Sequence, residues 1–248
     1  MMKDIEIVKK ALADYKENEL IFASILYKEK LYSDISEASY YKILQRLSES
    51  GNLVKIAKGI YHLPKISKYG LVPPSESDIV ATFTDENKGV VVGYALYNNL
   101  NLTTQIPKTI KVLSSYLEGF SKTINNVTVN QVQLEFSAGT KTIVEGLDVL
   151  QNFDSIQDIN YGAFIKYSKK LASSFDNDLF ERIISVKNYK KSTISFFREI
   201  LDFYNIKNNL SKYLSSLSVY KHPKMEEIYE AARVSRWIQR SNFNSGTW

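Results

Sequence analysis

The chain has no cysteine in its 248 residues. That excludes disulfides, thiolate zinc sites and a cysteine nucleophile. Its two histidines, His62 and His222, lie far apart, and no carboxylate spacing argues for a metal site without them. A P-loop, a Gly-x-Gly-x-x-Gly fingerprint and a Gly-x-Ser-x-Gly elbow are all missing. A nucleotidyltransferase needs a Gly-Ser loop followed by a carboxylate pair for magnesium and triphosphate. Asp176-Asn177-Asp178 has no such loop before it and reads as a helix N-cap cluster. Glu145 and Asp148 lie one helical turn apart and read as a solvent-facing acidic pair. No catalytic residue, metal ligand or cofactor is therefore expected. Membrane features are missing as well. No apolar run approaches the ~20 residues needed to span a bilayer. The opening MMKDIEIVKK carries acids where a signal peptide needs an apolar stretch. The expectation is a cytoplasmic protein with no membrane partner.

What is present is an ordinary globular composition, 44% hydrophobic and 24% charged, in a chain long enough for two domains. Charge is uneven. Residues 1–75 carry net +3, residues 76–160 net −5 and residues 161–248 net +7. Basic ends around an acidic middle suit an acidic partner such as nucleic acid at one end or both.

The most informative stretch runs from Ser33 to Leu63. Ser36 is a candidate N-cap, followed by apolar positions Tyr40, Ile43, Leu44 and Leu47 at helical spacing. Gly51 and Asn52 stop that helix. Two short apolar runs, 53–56 and 60–63, flank the turn Ala57-Lys58-Gly59, which is a hairpin signal. A short extended segment and helix in 19–26 precede it, with Ile21, Phe22, Ile25 and Leu26 as core, and a helix over 3–15 precedes that. This order is the outline of a winged helix-turn-helix, whose second helix enters the DNA major groove while the hairpin lies on the backbone. Between Lys42 and Lys68 there are six basic residues and one acid, Glu49. Ser39, Lys42 and Arg46 share a face opposite the apolar stripe, and Ser36 and Ser39 sit in the first turn, nearest base edges. Lys55 and Lys58 would meet phosphates. The candidate DNA-binding residues are thus Ser36, Ser39, Lys42, Arg46, Lys55 and Lys58. Tyr40, Tyr41 and Tyr61 read as core-edge packing with hydroxyls that could touch phosphate.

Pro64 to Pro74 reads as a polar, partly stiff linker. Ser75 with Asp78 is a capping-box candidate for a helix through Phe83. Beyond it come a buried run 90–92, a short helix 94–100, a loop 103–107, strands 109–113 and 127–136, and a helix 143–153. The tail reads as helices over 161–175, 178–186, 192–204 and 226–240. Arg233, Arg236 and Arg240 stack on one face of the last, which suits either phosphate or simple solvation.

The string Gly93-Tyr94-Ala95-Leu96-Tyr97-Asn98-Asn99-Leu100, then Leu102-Thr103-Thr104-Gln105-Ile106-Pro107 and Thr109-Ile110, resembles the AbiEi family of bacterial antitoxins. So do Leu44-Gln45-Arg46-Leu47, Gly51-Asn52-Leu53 and Lys58-Gly59-Ile60-Tyr61 in the part that would be that family's winged helix. The resemblance spans residues 20–155 and not the later helices. Asn101 departs from it, standing where the family has glycine. The resemblance implies an antitoxin of a two-gene abortive-infection, or phage-defence, system. Its partner is a nucleotidyltransferase-like toxin, with which a stable complex need not form. It also implies that the winged helix binds promoter inverted repeats and represses the operon.

The expected architecture is α+β. It comprises a winged helix-turn-helix over 1–70, a mixed α/β domain with a small sheet over 75–160, and a helical extension over 161–248. The expected partners are double-stranded operator DNA and the toxin, and the mode of action is binding rather than catalysis. Two rivals stand beside this. One is a ligand-responsive winged-helix regulator without a toxin; the other is an enzyme on nucleotides or RNA that uses the winged helix to hold substrate.

Overall fold

The computed structural model describes the backbone of residues 2–244 and the side chains of residues 4–234. Arg236 and Arg240 lie outside the described side chains. The architecture is α+β, and packing divides it into two compact units, residues 1–82 with 122–127 and residues 83–121 with 128–248.

The first unit begins with helix α1 (Met2–Leu12), strand β1 (Ile21–Phe22) and helix α2 (Ala23–Leu26). The chain continues from α2 as one widened π-turn, Tyr27–Leu31. Helix α3 (Glu37–Glu49) follows, then strands β2 (Val54–Ala57) and β3 (Ile60–His62). β3 is central in a three-stranded antiparallel sheet of order β1-β3-β2. α3 starts where Ser36 accepts the Ser39 N–H, and it buries Tyr40, Ile43, Leu44 and Leu47, the stripe its spacing dictates. These pack with Val8, Leu12, Leu26, Leu31, Leu53 and others in one buried cluster. Tyr40 stacks on Tyr27 with ring centroids 5.2 Å apart, and its hydroxyl donates to the Ala23 carbonyl at 2.9 Å.

The stretch read as a linker is a second hairpin, with strands β4 (Lys65–Ser67) and β5 (Gly70–Val72) paired antiparallel. Its polarity and its flanking prolines hide these strands in the sequence. Ile66 faces Leu71 across the ribbon, and both stay exposed, as does Tyr69. Helix α4 (Glu76–Thr84) then opens on a reciprocal capping box. The Asp78 N–H donates to Ser75 Oγ at 3.1 Å, and the Asp78 carboxylate accepts from the Ser75 N–H at 3.1 Å.

The second unit contains strand β6 (Gly89–Val92), helix α5 (Tyr94–Asn99) and strand β7 (Ile110–Ser114). Strands β8 (Ser121–Ile124) and β9 (Val127–Gln131) complete a four-stranded sheet of order β6-β7-β9-β8, with the hairpin tip 122–127 grouped with the first unit. β8, a short and largely exposed strand, was not legible beforehand. β9 is shorter than the 127–136 expected. Its buried positions are Val127 and Val129, whereas beyond it Val132, Leu134 and Phe136 are the buried ones. That change of parity ends the strand, because a continuous strand would turn one set outward.

Helix α6 (Ala138–Gln151) is the hub of this unit, buried at Ile143, Val144, Leu147, Val149 and Leu150. Around it lie α7 (Tyr161–Ser173), α8 (Asn177–Val186), α9 (Lys191–Phe203) and α10 (Met225–Asn244). One apolar cluster runs from Val90 to Ile228, so the stretches read as 75–160 and 161–248 share a core. Asp176 caps α8 by accepting the Leu179 N–H at 2.9 Å, which settles the Asp-x-Asp as a helix start. Among the described residues no helix is long and apolar enough to cross a membrane.

Candidate functional site

In the first unit α3 presents two faces. The inner one is the buried stripe. The outer one carries Lys42 and Arg46, both exposed, with half-buried Ser39 one turn earlier. Ser36 is exposed, but its oxygen already serves the Ser39 N–H at 3.3 Å, so it fixes where the helix begins. Lys55 is exposed on β2 opposite Tyr61, beside a bulge before Ala57. Lys58 is exposed in the β2–β3 turn, which Gly59 closes at φ +73°, a backbone region that favours glycine. The fold thus puts Ser39, Lys42 and Arg46 on one helix face and Lys55 and Lys58 on the hairpin that follows. Of the tyrosines, Tyr40 and Tyr61 are buried, and burial pushes the Tyr40 hydroxyl far above its ordinary range. Neither hydroxyl is displayed as Tyr41 is.

The β4–β5 ribbon adds two exposed lysines that sequence reasoning left in a linker. The Lys68 ammonium lies 4.9 Å from the centroid of the Tyr69 ring at its tip. The signal available was the alternation Lys65-Ile66-Ser67 and the glycine at 70, which takes φ +105°.

In the second unit the string Gly93 to Lys111 folds around one carboxylate. Gly93 opens α5 at φ +71°. Its N–H donates to Asp148 Oδ2 at 2.7 Å, and the Tyr97 hydroxyl donates to the same oxygen at 2.9 Å. Burial, then the charge of Asp148, drives the Tyr97 hydroxyl far above its ordinary range, so it stays a donor. This corrects the reading of Glu145 and Asp148 as a solvent-facing pair. Asp148 is half-buried and doubly bonded to α5, and burial raises the Glu145 carboxyl above the usual range against the attraction of Lys170 and Lys141.

The rest of the string ties down residues 155–160. Tyr94 donates to the Ser155 carbonyl at 2.6 Å, Thr103 to the Gln157 carbonyl at 2.7 Å, and Gln105 Nε2 to Asp158 Oδ2 at 3.1 Å. Asn101 takes φ +57°. Its N–H bonds the Asn98 carbonyl at 2.9 Å and the Leu102 N–H bonds the Tyr97 carbonyl at 2.8 Å, a Schellman end to α5. Between the string and the C-terminal end of α6 lies a cavity of about 450 Å³. Its lining includes Tyr94, Lys108, Lys111, Asp148, Asn152 and Gln157. No local pattern announces Asp148, which stands 51 residues from Tyr97. Among the described residues no cluster of three histidine, aspartate or glutamate side chains could hold a metal.

The chain matches, over residues 7–144, the family described as "Family of unknown function (DUF6088)", and it belongs to that family. The matched span takes in the first unit from residue 7 onward and the Gly93–Lys111 string, and ends just before Glu145. No curated protein matches the chain.

Proposed function

We propose that the first unit is a winged helix that binds operator DNA, and that the protein is an AbiEi-like antitoxin repressing its own operon. The observation that carries the DNA reading is the outer face of α3. Lys42 and Arg46 stand exposed on a helix whose other face is the domain core, and the next hairpin exposes Lys55 and Lys58. The order α1-β1-α2-α3-β2-β3 supports it, since that is the order in which a winged helix presents a recognition helix and a wing. The antitoxin reading draws its support from the Gly93–Ile110 string, which resembles that family. The protein acts by binding: Ser39, Lys42 and Arg46 in the major groove, Lys55 and Lys58 on phosphates.

The test has two parts. Binding of the full chain to the DNA upstream of its own gene is measured by fluorescence anisotropy. Lys42→Ala with Arg46→Ala is expected to abolish specific binding without lowering the unfolding midpoint, and unchanged affinity overturns the assignment of that face. The full chain is then co-expressed with an adjacent nucleotidyltransferase-like gene. Restored growth is expected; persistent growth arrest overturns the antitoxin reading. A ligand-responsive regulator without a toxin is the second reading, and the cavity beside Asp148 is the observation that favours it.

A further inference from the structure

We propose that the cavity between the Gly93–Lys111 string and α6 binds a nucleoside monophosphate. This goes beyond operator binding and depends on neither reading of the first unit. At about 450 Å³ the cavity falls in the range of small-molecule sites, roughly 300–1,000 Å³.

Its lining carries both signs of charge. Lys108 and Lys111 are exposed at the rim, and among the described residues neither is held by a hydrogen bond or ion pair. Lys111 sits on β7 opposite Val92, and its side chain runs beside Gly93, where an added Cβ would come 3.6 Å from Lys111 Cδ. Two unengaged ammonium groups at one mouth suit a phosphate. The same lining offers an acceptor. Asp148 spends Oδ2 on Gly93 and Tyr97 and keeps Oδ1 without a hydrogen bond among the described residues, on a residue that lines the cavity. A carboxylate oxygen so placed takes the amino or imino edge of a base. Tyr94, in the same lining, is a fixed aromatic. Its hydroxyl is anchored on the Ser155 carbonyl and its ring lies 5.5 Å from the Tyr97 ring. With Pro107 it gives an apolar platform against which a base can stack. Cations for a phosphate, an acceptor for a donor-bearing heterocycle and an aromatic ring for stacking, gathered in one cavity, suit a nucleotide.

The experiment is isothermal titration of the full chain with AMP, CMP, GMP and UMP, with inorganic phosphate, a free nucleoside and glycine as comparisons. At least one monophosphate is expected to bind saturably at one site. Phosphate, nucleoside and glycine are expected to bind at least tenfold more weakly. Lys108→Ala with Lys111→Ala touches two exposed side chains and is expected to weaken the nucleotide by at least tenfold while leaving the ligand-free unfolding midpoint in place. Tyr94→Leu is expected to weaken the nucleotide and the nucleoside alike. The proposal is overturned if no monophosphate saturates at millimolar concentration, if the double lysine variant binds as the natural chain does, or if phosphate or glycine alone binds as tightly. Operator binding is measured on the same samples, so loss of either activity is read apart from the other.

Discussion

At the scale of single residues, the chain often uses asparagine where glycine is the commoner choice. Asn18, Asn87, Asn101, Asn125 and Asn205 all take positive φ. Asparagine tolerates that region better than other non-glycine residues but less well than glycine. Asn101→Gly is therefore expected to stabilise the protein by about 0.5 kcal/mol, and Asn101→Ala to destabilise it by about 1 kcal/mol. Chemical denaturation of the two variants checks this; equal midpoints would show that the Schellman end of α5 tolerates any residue. Glu145 gives a pH-dependent prediction. Burial raises its carboxyl, so the folded state holds the proton more tightly than the unfolded chain does. The resulting stability is complete below the unfolded value and drains away as pH rises through the raised folded one. Glu145→Gln is thus expected to raise the unfolding midpoint at pH 7 and to change nothing near pH 4. A variant that destabilises at pH 7 would mean that Lys170 and Lys141 outweigh burial.

At the scale of elements, helices with a capping residue and a clean apolar stripe were legible. α3 begins at Ser36 and buries Tyr40, Ile43, Leu44 and Leu47, all readable from spacing alone. The Ser75–Asp78 box was equally readable, because its chemistry is local. Ser75→Ala is expected to cost about 1 kcal/mol, as for other N-cap removals. Hydrogen bonding to Ser75 also holds the Asp78 carboxyl below the usual range. The box therefore contributes above the unfolded carboxyl value and fades as pH falls through the depressed folded one. The penalty of Ser75→Ala should accordingly shrink in strong acid, and urea titrations at two pH values measure it. Exposed strands were the elements that escaped. β4, β5 and β8 bury little, so they leave no apolar pattern to detect. The Asp148 site escaped for a different reason, since its parts meet only where β6, which leads into α5, packs on α6.

At the scale of the whole molecule, the distribution of charge sets what the operator-binding proposal must show in solution. The net charge of the first 75 residues is +3, while the following 85 carry −5. The last 88 residues add +7 and bring the chain to +5, so a general attraction to DNA is open to the whole chain, and the proposed face must show itself in salt dependence and in preference for operator. Two cations of the proposed face, Lys55 and Lys58, are assigned to phosphates and give a defined salt dependence. Each phosphate neutralised releases condensed counterions, and log K falls with log salt by about 0.9 per contact. These two contacts of one copy are expected to contribute about −1.8 to the slope. Lys55→Ala with Lys58→Ala should reduce that slope by about 2 and weaken operator and unrelated DNA alike, because phosphate contacts carry no sequence information. Lys42→Ala with Arg46→Ala should instead remove the difference between operator and unrelated DNA. Anisotropy titrations across a salt series separate the two. If both pairs change the slope equally and neither changes the preference for operator, the cations form a non-specific basic surface and α3 is not the helix that reads the bases.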